Sequence, residues 1–217
     1  MQHEALKYYA NILTPFSPLV LKKIDEILAL NLPVDMIAPS HGIIWRKDAF
    51  QIVKQYQEWA SQQPEARAVV IYDTMWQATR RMADAIGEGL AEGGVEHRIY
   101  HASTSDRNEL LVEIFRSRAL IFGSPTWNNG LLPAIWPLLH DLKSLRFKNK
   151  IGGAFGAYGW SGEGAGLIEA QFDVCKIPHP VPAPRCKWRP DAAALAECRA
   201  FGRAMAEQVK AAVPASR

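Results

Sequence analysis

The stretch AVVIYDTMWQATRRMADAI, residues 68–86, joins a short apolar run to an amphipathic pattern through a hydroxyl-rich turn. The run AVVIYD predicts a buried strand, and Met82 and Ile86 recur at the spacing of one helix face. A turn between such a strand and a helix can bind a phosphate, because the free N–H groups of the helix N-terminus point at it. Thr74 and Thr79 flank the turn, so the sequence predicts an anion site there.

The turn has neither the glycines nor the lysine of a nucleoside triphosphate site. Such a site also needs a metal-binding acid, as in the pattern GxxxxGK[ST]. A single phosphate, neutralised by the helix dipole and by hydroxyl groups, fits residues 74–79 better. The alternative is that Thr79 only caps the following helix, and the turn by itself leaves both interpretations open.

Residues 66–213 alternate strand and helix patterns in five β–α units. The strands are predicted in AVVIYD, VEHRIYH, ALIFGSP, IGGAFGAYG and a proline-rich stretch near residues 180–188. This alternation predicts an α/β fold with a doubly wound parallel sheet and helices on both faces. Ligands in such sheets bind at the carboxyl ends of the strands, which selects the loops 74–79, 124–130 and 157–163.

Two of these loops combine turn-forming residues with large aromatics. The first, GSPTWNNG, carries Trp127 beside Asn128 and Asn129, and the second, GAYGWSGEG, carries Tyr158 and Trp160 among glycines. Aromatics in loops either pack against the protein or stack on a ligand, and each tryptophan alone leaves this open. Taken with a single-phosphate turn, the two loops favour flavin mononucleotide (FMN), and they favour the flavodoxin-like strand order 2-1-3-4-5 with FMN at its switch point.

Residues 1–62 have a different pattern and are too few for a strong core of their own. SPLVLKKIDEILAL predicts a helix with Ser17 as its N-cap, and DAFQIVKQYQEWA predicts another with Asp48 as its N-cap. Between them, VDMIAPSHGIIW predicts strand, turn and strand. We therefore interpret this part as the tail of a larger domain, or as a cap on the second part.

The composition excludes several classes of protein. A net charge of +3 over 217 residues, without a long basic run, argues against a nucleic-acid partner. No apolar stretch reaches the length of a membrane span, and the N-terminus has no secretory core. Three cysteines without metal-site spacing indicate free thiols, so we predict a cytoplasmic protein.

Four motifs make a family resemblance visible. YDTMWQATRRMADAI, GSPTWNNGLLP, AFGAYGWSGEG and KWRPD strongly resemble the flavodoxin-like domain of flavodiiron proteins. Upstream, YYANILTPFSPLV, VDMIAPSHGIIWR and QYQEWA are similar to the last part of the metallo-β-lactamase-like domain of that family. The resemblance implies a domain remnant over residues 1–62 and an FMN-binding domain over residues 66–213. It also implies electron transfer to a diiron centre, which in complete proteins reduces dioxygen or nitric oxide.

The resemblance also assigns site residues motif by motif. Flavodiiron loops commonly hold an aromatic at the position of Trp76, where ordinary flavodoxins have a hydroxyl residue, and Gln77 replaces a glycine. The implied FMN-binding residues are Thr74, Met75, Trp76, Gln77, Ala78 and Thr79 around the phosphate, with Pro125, Thr126, Trp127, Asn128, Asn129, Ala157, Tyr158, Gly159, Trp160 and Gly162 bordering the isoalloxazine.

The resemblance makes His41, in the PSHG turn, a ligand of the diiron site. The other family ligands come from an HxExDH motif and later residues that are absent from this sequence, so iron is not expected in this chain alone. The implied partners are a rubredoxin or an NAD(P)H-dependent reductase, with a possible homodimer.

Two other functions remain open at the level of sequence. The same fold could serve an FMN-dependent NAD(P)H or quinone reductase. A flavin-free signalling domain is less favoured, because the third strand runs into GSPTW without the acidic residue that a phosphoacceptor site requires.

Overall fold

A five-stranded parallel sheet forms the centre of the protein, in a computed structural model that describes residues 1–211. The strands stand in the order β2-β1-β3-β4-β5, which confirms the flavodoxin-like α/β prediction. They are β1 (Glu65–Tyr72), β2 (Glu96–His101), β3 (Ser117–Gly123), β4 (Ile151–Tyr158) and β5 (Arg185–Lys187). Since every pairing is parallel, the carboxyl ends of the strands lie along one edge of the sheet.

Helices cover both faces of this sheet. On one face lie α4 (Ala78–Glu92) and α8 (Ala192–Ala211), and on the other lie α5 (Arg107–Arg116), α6 (Ile135–Leu145) and α7 (Gly164–Cys175). The central strand β1 explains the division, because its side chains alternate between the faces. Val70 contributes to the α4–α8 core, whereas its neighbours Val69 and Ile71 contribute to the opposite core.

The two helices of the first face approach each other unusually closely. A Cβ added at Gly202 of α8 would lie 2.2 Å from the carbonyl oxygen of Ile86 in α4. One added at Gly89 would lie 2.1 Å from the carbonyl oxygen of Arg199. The glycines therefore let the two backbones touch, and α8 closes the sheet on that side.

The N-terminal part contains three α-helices: α1 (Gln2–Tyr8), α2 (Ser17–Ala29) and α3 (Phe50–Ala60). A π-turn over Tyr9–Leu13 and a 3₁₀ turn over Thr14–Phe16 join the first two. The strands expected in VDMIAPSHGIIW are wrong, since only a single antiparallel bridge forms between Ile37 and Trp45. Pro39 follows closely and has no N–H with which to extend a ladder.

Both helix caps predicted in this part are wrong. The helix α2 begins at Ser17 itself, and the buried Ser17 hydroxyl donates to the Thr14 carbonyl at 2.8 Å. Asp48 adopts a left-handed backbone conformation with φ of 48°, and α3 begins after Ala49 without a side-chain cap. The sequence patterns located both helices, but tertiary contacts decided their first residues.

Gln62 ties the N-terminal part to the sheet domain. Its Nε2 donates to the Thr14 carbonyl and to the Ser17 hydroxyl, each at 3.2 Å, and its Oε1 accepts the Lys148 N–H at 2.9 Å. The polar, proline-containing stretch SQQPEARA has the composition of a linker, yet Gln62 is buried within it. The division into residues 1–62 and 66–213 stays a prediction, and residues 212 and 213 lie outside the described part.

Candidate functional site

The loop after β1 presents two buried hydroxyl groups that have no hydrogen-bond partner within residues 1–211. They are Oγ1 of Thr74 and Oγ1 of Thr79, and Thr79 has no exposed surface at all. A buried hydroxyl without a partner is costly, so such a group usually bonds to a water, an ion or a ligand. The two groups fit an anion, because they lie at the N-terminus of α4, where free backbone N–H groups and the helix dipole also favour negative charge.

Local backbone geometry shapes this turn. Gln77 stands before the first residue of α4 with φ of 64°, a left-handed conformation, and Ala78 begins the helix. Trp76 is 88% exposed, so its side chain does not pack into the protein, whereas Met75 is partly covered.

The loop after β3 forms a tight two-residue hairpin. Trp127 and Gly130 exchange backbone hydrogen bonds at 3.1 and 2.8 Å, and Asn128 and Asn129 both have positive φ, as a type I′ turn requires. The Thr126 N–H donates to the Ala157 carbonyl at 2.9 Å, which joins this loop to the end of β4. The hairpin leaves Trp127 partly exposed at the sheet edge.

The loop after β4 adds a third aromatic group to that edge. Trp160 is 86% exposed, and its ring meets the ring of Trp188 edge to face with centroids 5.4 Å apart. The Trp188 N–H donates to the Tyr158 carbonyl at 2.7 Å. Gly162 has φ of +82°, a conformation that glycine adopts without strain.

The carboxyl edge of the sheet thus exposes four indole rings and also carries the turn with the two unpartnered hydroxyls. Trp76, Trp127, Trp160 and Trp188 are all exposed, although burying an indole is strongly favourable. Exposed aromatic faces suit stacking on a flat heteroaromatic ring, and the orphaned threonine hydroxyls suit one phosphate. The residues present therefore fit FMN on both counts.

Two features of this edge escaped the sequence reasoning. Asp73, at the end of β1, accepts hydrogen bonds from His101 at 2.9 Å and from Ser103 at 3.2 Å. Trp188 packs directly on Gly159. Both had a signal in the sequence, because Asp73 and His101 follow neighbouring parallel strands and Trp188 belongs to the motif KWRPD.

His41 lies away from this edge, in the N-terminal part. It is exposed, its ring stands 5.5 Å from that of Tyr8, and it borders an apolar cavity of about 550 Å³. Within residues 1–211, the one cluster of three groups able to ligate a metal is His3, Glu4 and Glu109, which does not include His41. His41 therefore has no set of co-ligands among the described residues. In the same part of the chain, no helix has the length and apolar composition needed to cross a membrane.

Comparison with known proteins agrees with the geometry. The family described as Flavodoxin matches residues 70–202. The nitric oxide reductase of Moorella thermoacetica is 49% identical over 207 residues, which covers 95% of this chain and 52% of that protein. The anaerobic nitric oxide reductase flavorubredoxin of Aeromonas hydrophila is 46% identical over 215 residues, covering 96% and 42%. The chain thus spans about half the length of these curated relatives.

Solved structures of flavodiiron proteins also match nearly all of this chain and about half of their own length. Rubredoxin oxygen:oxidoreductase from Desulfovibrio gigas superposes with a TM-score of 0.93 at 33% identity, over 97% of this chain and 53% of its own. The flavodiiron protein of Giardia intestinalis gives 0.88 at 29% identity, over 95% and 51%. An archaeal flavodoxin matches 66% of this chain and 99% of its own length, with a TM-score of 0.60 at 30% identity. The chain belongs to the flavodoxin family, and it carries the flavodoxin-like FMN-binding domain of flavodiiron proteins.

Proposed function

We propose that this chain is an FMN-binding electron-transfer module whose phosphate site is the turn Thr74 to Thr79. The observation that carries the proposal is the pair of buried, unpartnered hydroxyls of Thr74 and Thr79 at the N-terminus of α4. FMN supplies the redox chemistry when it is bound, and the protein supplies binding and orientation.

The proposed roles follow from the position of each loop. The backbone of residues 74–79 and the two threonine hydroxyls bind the phosphate, with Met75, Trp76, Gln77 and Ala78 forming the rest of the turn. Residues 125–129 and 157–162 border the isoalloxazine. In that set, the indoles offer flat apolar faces, while the Asn128 and Asn129 amides offer hydrogen bonds to the ring edge.

Electron transfer is favoured over a substrate transformation by the chemistry of these loops. Residues 74–79, 124–130 and 157–163 contain no histidine, lysine or cysteine, and Glu163 is their one carboxylate. A hydrogen bond from Ser161 lowers the pKa of the Glu163 carboxyl, so this group is a poor proton donor at neutral pH. General acid–base catalysis therefore has no well-suited residue in the three loops.

The parent activity forms part of the proposal. Relatives are named nitric oxide reductase and rubredoxin oxygen:oxidoreductase, so we infer that the complete protein reduces nitric oxide or dioxygen at a diiron site. His41 would be one ligand of that site, and residues 1–62 would belong to a metallo-β-lactamase-like domain. A rubredoxin or an NAD(P)H-dependent reductase would supply electrons, a homodimer would be the assembly, and the cytoplasm would be the location.

The direct test is flavin binding by the purified chain. After saturation with FMN and desalting, we expect a flavin absorbance close to one equivalent per chain, together with iron far below one equivalent. A chain that retains no flavin would contradict the proposed function. Steady oxidation of NAD(P)H by the loaded chain alone would instead support a reductase.

A further inference from the structure

Three hydrogen-bond donors converge on one carboxylate oxygen beside the phosphate turn. Oδ1 of Asp73 accepts the Thr74 backbone N–H at 2.9 Å, the Nε2 hydrogen of His101 at 2.9 Å and the Ser103 hydroxyl at 3.2 Å. The first donor belongs to the phosphate turn, while the other two come from the end of β2 and the turn that follows it. This cluster of Asp73, His101 and Ser103 therefore connects β2 to the first residue of the turn.

The position of His101 is well determined by its surroundings. It pairs with Tyr72 across the sheet, and the two rings stack with centroids 5.3 Å apart and an interplanar angle of 14°. Its carbonyl oxygen accepts the hydroxyl groups of Thr104 at 3.3 Å and Ser105 at 2.8 Å. These contacts restrict both the backbone and the ring of His101, and its imidazole faces Asp73.

The arrangement does not resemble a nucleophilic triad, although it contains Ser, His and Asp. In a triad, one ring nitrogen of the histidine accepts a hydrogen bond from the serine hydroxyl, and the other donates one to the carboxylate. Here the same Nε2 atom lies 2.9 Å from Asp73 and 3.0 Å from the Ser103 hydroxyl. Both groups therefore donate to the carboxylate, and no base is left to activate the serine.

The cluster of Asp73, His101 and Ser103 restricts the backbone of Thr74. The Asp73 backbone N–H donates to the Gly123 carbonyl at 3.0 Å, so Asp73 is fixed to β3 on one side and to β2 on the other. Its carboxylate then fixes the Thr74 N–H, and the hydroxyl of that same threonine is one of the two without a partner. We propose that His101 and Ser103 are positioning residues, which hold Asp73 and through it orient Thr74 toward the flavin phosphate.

This inference rests on the proposed FMN site, and it predicts an effect confined to the phosphate end of the ligand. Riboflavin has the same ring and ribityl chain but no phosphate. His101→Ala should therefore weaken FMN binding roughly tenfold, as expected for a lost hydrogen bond to a charged group, and leave the Kd for riboflavin unchanged. Ser103→Ala should act in the same direction with a smaller effect.

Conservative replacements separate positioning from general damage. His101→Gln places an amide N–H near the position of the imidazole Nε2 and should restore most of the FMN affinity, whereas the shorter His101→Asn should not. His97→Ala is the matched control, because His97 lies on the same strand and its ring contacts the Val95 carbonyl but not Asp73. An equal loss of FMN and riboflavin affinity in His101→Ala, or no loss, would overturn the proposal.

A flavin-free readout separates this inference from the function on which it rests. In the full chain without flavin, hydrogen exchange of the Thr74 amide should be faster in His101→Ala than in the wild type, and unchanged in His97→Ala. Equal exchange rates in His101→Ala and the wild type would refute the positioning role even if FMN binds well. Failure of the wild type to bind FMN would refute the proposed function and, with it, the role of the cluster at a phosphate.

Discussion

Gly159 and Trp188 are packed so closely that a Cβ on the glycine would lie 2.9 Å from the indole ring. We therefore expect Gly159→Ala to displace the indole and to raise the Kd for FMN about tenfold, since aromatic stacking on a base or ring contributes roughly 1–3 kcal/mol. A titration followed by flavin fluorescence measures the Kd for FMN in each variant. Gly166→Ala is the control, because its added Cβ would meet only the Arg185 guanidinium at 3.5 Å, an ordinary contact. Equal affinities in the two variants would contradict the prediction.

The unpartnered Thr79 hydroxyl predicts opposite effects on stability and on binding. Thr79→Val removes a buried hydroxyl that has no partner, so the flavin-free protein should melt at the same temperature or higher. The same change removes a phosphate ligand, and the Kd for FMN should rise about tenfold, or about 1.4 kcal/mol. Thermal unfolding with and without FMN tests both signs. A variant that is destabilised without flavin, with unchanged affinity, would count against the assignment of this hydroxyl.

The close approach of α4 and α8 predicts a large loss of stability in Gly202→Ala. Its Cβ would lie 2.2 Å from a backbone carbonyl that cannot move without shifting the helix. Overpacking of this kind typically costs about 1–3 kcal/mol in the free energy of unfolding. Urea denaturation measures it, with Gly166→Ala again as the control. An unchanged midpoint would show that the helices separate more easily than the structure indicates.

The Gln62 junction predicts local loosening of the N-terminal part. Gln62→Ala removes the hydrogen bonds to Thr14, Ser17 and Lys148 and leaves buried polar groups unpaired. Hydrogen exchange over residues 9–17 should accelerate, while exchange in β3 stays unchanged. Gln63→Ala is the matched control, because the neighbouring side chain is exposed. Similar exchange in the two variants would contradict a junction centred on Gln62.

Burial of Cys198 predicts an alkaline loss of stability. Burial raises the pKa of this thiol from 9.0 to about 12, so the fold favours the protonated form. The contribution of this thiol to the free energy of unfolding is therefore complete below pH 9.0 and declines as the pH rises toward about 12. Cys198→Ala should be less stable at neutral pH because it leaves a cavity, but it should lose stability less steeply above pH 9. Parallel pH profiles of the two proteins would contradict this.

Much of the fold could be read from the sequence because its signals are local. The alternation of apolar runs with helical spacing predicted the parallel sheet and the helix positions, whereas the strand order came from the flavodoxin-like interpretation of the loops. Asp106 caps α5 by accepting the Asn108 and Glu109 N–H groups, as an aspartate at this position commonly does. Glu109 lies three residues later, as in a capping box, but its carboxylate accepts a hydrogen bond from Lys7 at 2.6 Å. That contact joins residues 102 positions apart, and no local pattern contains it.

The site could be predicted in part for the same reason. The three loops follow strands, so the topology placed them together. The orphaned hydroxyls could not be foreseen, since they depend on which way each side chain turns. For Asp73 and His101, the neighbouring parallel strands indicated proximity but not the hydrogen bond itself. The N-cap predicted at Ser17 was wrong because the Ser17 hydroxyl forms a hydrogen bond with Gln62 and does not cap its own helix.

Tyr9 also joins the N-terminal part to the sheet domain. It is completely buried between Tyr56 and Trp59 of the N-terminal part and Phe115 of α5. One aromatic cluster thus belongs to both halves of the chain. Separating the chain before β1 would therefore leave Tyr9, Tyr56 and Trp59 on one piece without Phe115, and Phe115 exposed on the other.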